Sequence, residues 1–422
     1  MKPGNALFFF IYRTLVLPLS LGLLAPFLFI FNKKFRKGML LRIRSQQEQK
    51  EVSGATIWIH CASGEFEYAK SILREVKDIN PRAKILVSYF SPSYKTQIEK
   101  TNLVDYSQIL PLDLAGPIQN FIKKFKPTAL IIARSDLWPE LLNQCAKSNI
   151  PTLLFSHTKS SVNPLLKPFE KTIYNLLTDI YVVSESDKES LEKITDKSVV
   201  VAGDTRYDQV QFRLQNRIAS SKSQIYEGRN FFIAGSTWPE DEAALIYALT
   251  QIQDLPTVLV PHENDEAHLQ NLEKELTRAD LKSVRFSQIE TWPEDTVLIV
   301  DQMGLLADLY AHCKFAFVGG SFKKKVHSVM EPLGAKKPVI VGPFYKNNRE
   351  AIIFSQVRLD SNTTAVSVAQ TQEELHSLLL QINKLQDLHN EKTAAIIQTE
   401  FTIKTGATKM VTQWLKQKGA LS

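Results

Sequence analysis

The chain has 422 residues, a formal net charge of +7 and an apolar fraction of 44%. That length holds two domains of ordinary size, and the composition excludes a disordered or low-complexity chain. Three widely separated cysteines, Cys61, Cys145 and Cys313, exclude a disulfide framework and a CxxC metal site and fit a reduced compartment.

The first element is an apolar run, Thr14–Phe31, without an ionisable residue; Lys33, Lys34, Arg36, Lys37, Arg42 and Arg44 follow it. A helix needs roughly 17–25 apolar residues to cross a bilayer core, and this run just qualifies. Its basic flank is C-terminal, so the positive-inside tendency places the remaining chain on the cytoplasmic face of an inner membrane. A cleaved signal peptide would carry its charge before the run and a small-residue cleavage site after it. Pro18 and Pro26 would kink a spanning helix, which leaves an interfacial or tilted anchor open. The basic cluster favours anionic inner-membrane lipid. Nucleic acid is not an expected partner, because no basic stripe with interleaved aromatics and no zinc-finger spacing is present.

Beyond the anchor, β-branched runs alternate with amphipathic stretches. Residues 55–60, 83–89, 128–133, 151–156, 179–184 and 198–203 read as buried parallel strands, with helices over 66–79, 115–125 and 137–148 between them. The pattern lapses over Asp208–Arg229, which reads as a linker. It resumes with strands at 230–236, 256–261, 296–300, 315–320 and 338–343, and a helical tail over Val368–Leu421 closes the chain. The expected fold is α/β, with two Rossmann-like domains. The expected boundaries are an anchor over 1–32, an acceptor domain over 33–210 and a donor domain over 211–400. The helix 401–422 is a candidate to return to the first domain. Most strands run into Gly, Ser, His or Asp, as expected where open α/β sheets bind ligands beyond their carboxyl ends.

In the first half the sharpest candidate is HCASGEFEYA, from His60 to Ala69. Glu65 sits where a strand-to-helix turn ends; such a carboxylate can accept a hydroxyl proton or simply complement the helix dipole. The second half offers GSTWPEDE, with Ser236 and Thr237, and GGSFKKKVHSVMEP, with Gly320 and Ser321. Glycine and serine at such turns let backbone N–H groups approach a phosphate. Lys323, Lys324 and Lys325 could hold an anion or form a solvated loop. His327 and Glu331, four apart, would share one helix face. His262, after a strand, reads alone as a structural histidine. Neither GxGxxG nor a P-loop motif is present.

In their order, the anchor, WIHCASGEFE, LPLD (Leu110–Asp113), SDLWPE (Ser135–Glu140), GDTRYD (Gly203–Asp208), GSTWPEDE, VPHE, DQMGLLADLY (Asp301–Tyr310), VGGSF, HSVMEP and VGP resemble the 3-deoxy-D-manno-oct-2-ulosonic acid (Kdo) transferase family. The likeness runs over nearly the whole chain. It implies a GT-B glycosyltransferase with two Rossmann-like domains facing across a cleft. It also implies inverting transfer of Kdo from CMP-Kdo to a lipid A precursor such as lipid IVA, without a metal or other cofactor. By position, Glu65 falls on the family's general base, Asp136 on an acidic residue, and Arg206 on a cation that steadies developing charge. Pro261 and His262 fall on CMP contacts, Met303, Gly304 and Leu305 on a segment beside the nucleotide, and Ser328 and Glu331 on donor contacts.

The chain departs from the family's pattern at several points. The turn before Glu65 is one residue shorter, Arg134 replaces an acidic residue, and Glu140 replaces the Asn after LWP. SHTKS (Ser156–Ser160) replaces NARLS, and MGL replaces MGE. Another membrane-bound GT-B glycosyltransferase, or an inactive relative that binds lipid or nucleotide, is the alternative reading.

Overall fold

The computed structural model describes residues 3–47, 52, 54–159, 161, 163–217 and 220–422. Ser160 of SHTKS, residues 218–219 of the expected linker and the Lys34 side chain lie outside the described residues.

The chain divides into two compact units, one of residues 1–209 with 404–422, the other of residues 210–403. Each is built on a seven-stranded parallel sheet. The first contains β1 (Thr56–Cys61), β2 (Lys84–Tyr89), β3 (Tyr106–Ile109), β4 (Pro127–Ala133), β5 (Thr152–His157), β6 (Asp179–Val182) and β7 (Val199–Val201), in the order β3-β2-β1-β4-β5-β6-β7. The second contains β8 (Phe232–Thr237), β9 (Thr257–Pro261), β10 (Ser283–Arg285), β11 (Val297–Ile299), β12 (Phe315–Val318), β13 (Val339–Val341) and β14 (Val366–Val368), in the order β10-β11-β9-β8-β12-β13-β14. Each unit is thus α/β with a parallel sheet, as expected.

Helices cover both faces of the first sheet, so its central strands are buried throughout: every residue of β1 is buried. One face packs Trp58, Leu86, Leu130 and Leu154 against the helices Ala115–Phe125 and Pro139–Lys147. The other packs Ile59, Val87, Ile131 and Phe155 against Phe66–Ile79 and the terminal helix Ala407–Gln417. The topology reverses between β1 and β4 and again between β8 and β12, which places each ligand-binding crevice at the carboxyl ends of those pairs.

Several elements differ from the sequence expectation. Strands β3, β10 and β14 were not expected; each is an edge strand of four residues or fewer. The supposed linker begins as a helix, Thr205–Gln215. Its polar composition conceals Tyr207 and Val210, which are buried. The tail is not one helix from Val368: Val366–Val368 is a strand, and helices Gln372–Thr402 and Ala407–Gln417 are separated at Gly406, whose φ of 105° ends helical geometry.

The apolar N-terminal helix runs from Pro3 to Phe31 without a break. Two π-type turns, Tyr12–Val16 and Ser20–Leu24, precede Pro18 and Pro26 closely. These wider turns accommodate a proline that supplies no N–H, so neither proline ends the helix. The stretch Ala6–Phe31 is long and apolar enough to cross a membrane. Asn32 (φ −118°, ψ 103°) then turns the chain into a second helix, Lys33–Gln47.

Candidate functional site

At the carboxyl end of β1 the chain makes the turn Ala62-Ser63-Gly64-Glu65 and enters the helix Phe66–Ile79. Glu65 is the N-cap residue, yet its side chain does not cap the helix. Its Oε2 turns back to accept the Ser63 N–H at 2.8 Å. Glu65 is half-buried at the sheet's carboxyl edge.

Beside it lies a buried polar chain. Trp58 Nε1 donates to Ser88 Oγ at 2.7 Å, Ser88 Oγ meets His60 Nδ1 at 2.7 Å, and His60 Nε2 meets Asp136 Oδ2 at 2.7 Å. The parallel register sets His60 next to Ser88, so the contact follows from strand pairing. Hydrogen bonds can run in one direction: indole to hydroxyl, hydroxyl to Nδ1, Nε2–H to carboxylate. Burial raises the Asp136 carboxyl, but the His60 hydrogen bond and charge, with the Arg42 guanidinium, outweigh it and hold the group below the usual carboxylate range. Burial, then the charges of Glu65 and Asp136, push the Cys61 thiol well up, so it stays protonated and unreactive.

Arg206 opens the helix Thr205–Gln215 and is held by Asp204, with Nη2 to Oδ2 at 2.7 Å. Its guanidinium lies 4.6 Å from the Tyr68 ring centre, and that of Arg134 lies 5.3 Å from the same ring. Arg134 Nη1 also donates to the Tyr68 hydroxyl at 2.5 Å. Tyr68 follows Glu65 by three residues, and the two cations gather on its ring. Thr205 Oγ1 secures the arrangement by donating to the Tyr68 carbonyl at 2.7 Å.

Two motif residues have structural partners. Asp113, the last residue of LPLD, accepts the Glu140 and Leu141 N–H groups and the Tyr12 hydroxyl. Glu140, which stands where the family pattern has Asn, receives a bidentate grip from Arg13, with Nη2 to Oε1 at 2.8 Å and Nε to Oε2 at 3.0 Å. That departure therefore matches a docking contact of the N-terminal helix.

In the second unit the turn after β8 meets the turn after β12. Asp241, wholly buried, accepts from the N–H groups of Trp238 (2.9 Å), Gly320 (2.7 Å) and Phe322 (2.9 Å). Burial raises the Asp241 carboxyl above its ordinary value despite these bonds. The approach is so close that a Cβ on Gly319 would sit 2.2 Å from the Ser236 carbonyl. Asp241 thus occupies the Gly320 and Phe322 donors of the expected cradle. Ser321 is buried, with its hydroxyl on the Val318 carbonyl, and Thr237 donates to Glu242 at 2.9 Å. Ser236 is held at φ 55°.

Beside these turns is an aromatic stack, half-buried at Trp238 and His327 and exposed at His262. His262 lies 4.7 Å from the Trp238 ring and 4.4 Å from His327, and Lys323 Nζ sits 3.3 Å over Trp238. Trp238 Nε1 donates to His327 Nε2 at 2.9 Å. Burial, then His262 and Lys325, lower His327 to about 4, so it is neutral and accepting near pH 7. His262 is exposed. Such a flat, cation-edged surface suits the face of a heteroaromatic ring.

His327 and Glu331 do not share a helix face, because the helix is only Met330–Gly334. Residues before it are held as a loop by Asn347 and Asn348, which bond Val326 and the His327 carbonyl. Glu331 pairs with Arg213 at 2.5 Å, and Ser328 is exposed. Pro261 ends β9 and is buried. Met303 and Gly304 are exposed in a loop, and Leu305 begins the helix Leu306–His312. An open recess of about 980 Å³ lies at the amino ends of β9, β11 and β12, away from these residues.

Sequence reasoning missed His60 and Ser88 as a linked pair, and Trp238 and Asp241. A polar residue near the end of each of two strands was the available signal for the first pair.

Residues 35–209 match the family described as 3-deoxy-D-manno-octulosonic-acid transferase (kdotransferase). A 3-deoxy-D-manno-octulosonic acid transferase of Aquifex aeolicus is 28% identical over 314 residues, covering 72% of this chain and 81% of that one. Over that stretch, and by this relative, the chain is similar to the Kdo-transferase family. These similarities support a glycosyltransferase. A bifunctional glycosyltransferase/methyltransferase of Fusobacterium nucleatum is 26% identical over 347 residues, 78% of this chain; the match takes in only 53% of that relative. A solved glycosyltransferase from Rickettsia africae shares the fold, with a TM-score of 0.57, 12% identity, and 88% of this chain and 99% of that one covered. Glu65, Asp136 and Arg206 all lie within the stretch matched to the family.

Proposed function

We propose that this chain transfers Kdo from CMP-Kdo to a hydroxyl of a lipid A precursor at an anionic inner-membrane surface, on the cytoplasmic side, with inversion. Supporting it most is the Glu65 turn. It lies inside the family-matched stretch and presents a carboxyl whose one hydrogen bond among the described residues is to its own turn. In this reading Glu65 takes the proton of the acceptor hydroxyl as that oxygen bonds to the anomeric carbon of Kdo. The bond from that carbon to the phosphate oxygen breaks, and CMP leaves with the electron pair. A base on the nucleophile and positive charge near the departing phosphate are what such a transfer requires. Arg206 is the proposed cation of the first unit, and the His60–Asp136 pair keeps the wall beside Glu65 polar and ordered.

On the donor side, Trp238, His262 and His327 form the proposed platform for the cytosine ring. Ser236, Thr237, Pro261, Met303, Gly304, Leu305, Gly320, Ser321, Ser328 and Glu331 are its proposed surroundings. No metal or other cofactor enters this reading.

The test is mass spectrometry of the lipid after incubation with CMP-Kdo and a tetra-acylated lipid A precursor. Wild-type protein should add the mass of Kdo. Glu65→Ala should lower turnover by roughly 10²–10⁴-fold while CMP affinity changes little. A Glu65→Ala protein with unchanged turnover removes the residue from this role; wild-type protein that adds no Kdo overturns the activity.

A further inference from the structure

Both flanks of the apolar helix are fastened to the same unit. Before it, Tyr12 donates to Asp113 at 2.7 Å, Arg13 grips Glu140, Phe9 is buried, and Phe8 packs on Phe169 at 4.7 Å. After it, Arg42 is buried, donates to the carbonyls of Leu110 (3.0 Å) and Phe90 (3.1 Å), and lies 4.4 Å from the Phe90 ring centre. Leu110 and Asp113 are close neighbours in one loop, so the chain leaves and returns to nearly one place.

The length of the return arm decides what this clasp permits. At ~1.5 Å per residue, the helix from Lys33 to Arg42 reaches only ~15 Å. The hydrocarbon core is ~30 Å thick. The turn at Asn32 therefore cannot reach the far side of a bilayer while Arg42 stays docked. We propose that the helix Thr14–Phe31 lies within a single leaflet, with its turn and basic return arm at the same surface as the folded domain.

The surface chemistry fits one occupant, a leaflet rich in anionic phospholipid. Leu15, Leu19, Leu23, Phe27 and Phe31 are 49–71% exposed. Leu165, 91% exposed, lies just before the helix Lys167–Tyr174, whose Phe169 touches Phe8. Residues 3–47 contain no Asp or Glu, whereas the return arm carries Lys33, Arg36, Lys37 and Arg44. The apolar helix can enter the acyl region of that leaflet while its basic return arm stays among the anionic headgroups. The inference holds whatever sugar the chain transfers.

The full chain added to sealed phosphatidylethanolamine–phosphatidylglycerol vesicles tests it. Lys33→Cys places a thiol at the exposed turn, and the native cysteines are all buried. A membrane-impermeant maleimide should label the introduced thiol as fully in sealed vesicles as after detergent. A nitroxide on Leu23→Cys should report a depth of ~5–10 Å below the headgroups. Pure phosphatidylcholine vesicles should bind at least tenfold more weakly. Labelling only after detergent, a nitroxide at the bilayer centre, or protein that fails to sediment with the vesicles overturns the proposal; equal binding to both lipid mixtures overturns the choice of an anionic leaflet.

Discussion

Single residues here acquire meaning from what the sheet edges bring beside them. Glu65 was legible because strand, turn and helix are consecutive in sequence. The Ser88–His60–Asp136 chain was not, since its members come from three different strand ends and meet only through strand order. His327 is likewise defined by its neighbours, and its environment makes a prediction about pH. An unfolded histidine takes a proton near pH 6.5, whereas the folded group resists until about 4. Across that window the unfolded state binds more protons, so stability falls as pH falls. Protonation would also remove the acceptor that holds the Trp238 N–H, beside His262 and Lys325. Urea unfolding at pH 7, 5.5 and 4.5 should show His327→Gln losing about 1–3 kcal/mol less than wild type on acidification. His157, also lowered to about 4 by burial, should sustain the remaining slope in both proteins. Equal slopes would show that His327 does not carry this acid sensitivity.

Among elements, the central strands announced themselves as near-continuous apolar runs because both sheet faces are covered. The three that escaped notice are short edge strands; β3 has only Ile109 fully buried, and the pattern that marks a core strand is missing. The β8 and β12 turns present the opposite case: their glycines and serines were visible, but not what they contact. Asp241 gathers three backbone N–H groups from two turns, and a carboxylate in that position is the element that fixes them to each other. Its removal leaves buried donors without an acceptor, which costs about 1–3 kcal/mol for a single group. Asp241→Ala should therefore destabilise the second unit by about 3–5 kcal/mol and weaken CMP binding, measured by denaturation and calorimetry. Asp241→Asn, which keeps an acceptor oxygen and the shape, should cost less. Unaltered stability in Asp241→Ala would mean the two turns are held by other contacts.

At the scale of the whole molecule, alternating strands and helices made two α/β domains readable. An amphipathic tail says only that it needs cover, not which sheet provides it. The structure divides that tail: residues 404–422 join the first unit, and the part before them stays with the second. Val411, Trp414 and Leu415 join the core formed by Ile59, Ile72, Leu73 and Ile131. Trp414 Nε1 donates to Asp179 at 2.7 Å, and Asp208 receives the N–H groups of Gly406 and Thr408. The last residues of the chain thus complete a core whose first strand begins at Thr56, while residues 210–403 fold on their own sheet. Replacing a buried tryptophan by alanine typically costs ~3–5 kcal/mol, and separate cores should confine that loss. In Trp414→Ala, amide exchange should quicken in β1, β4 and the helix Phe66–Ile79, while β8 and β12 keep their protection. Equal acceleration in both sheets would mean that the two units unfold as one, and no acceleration would mean that the terminal helix contributes nothing to the first core.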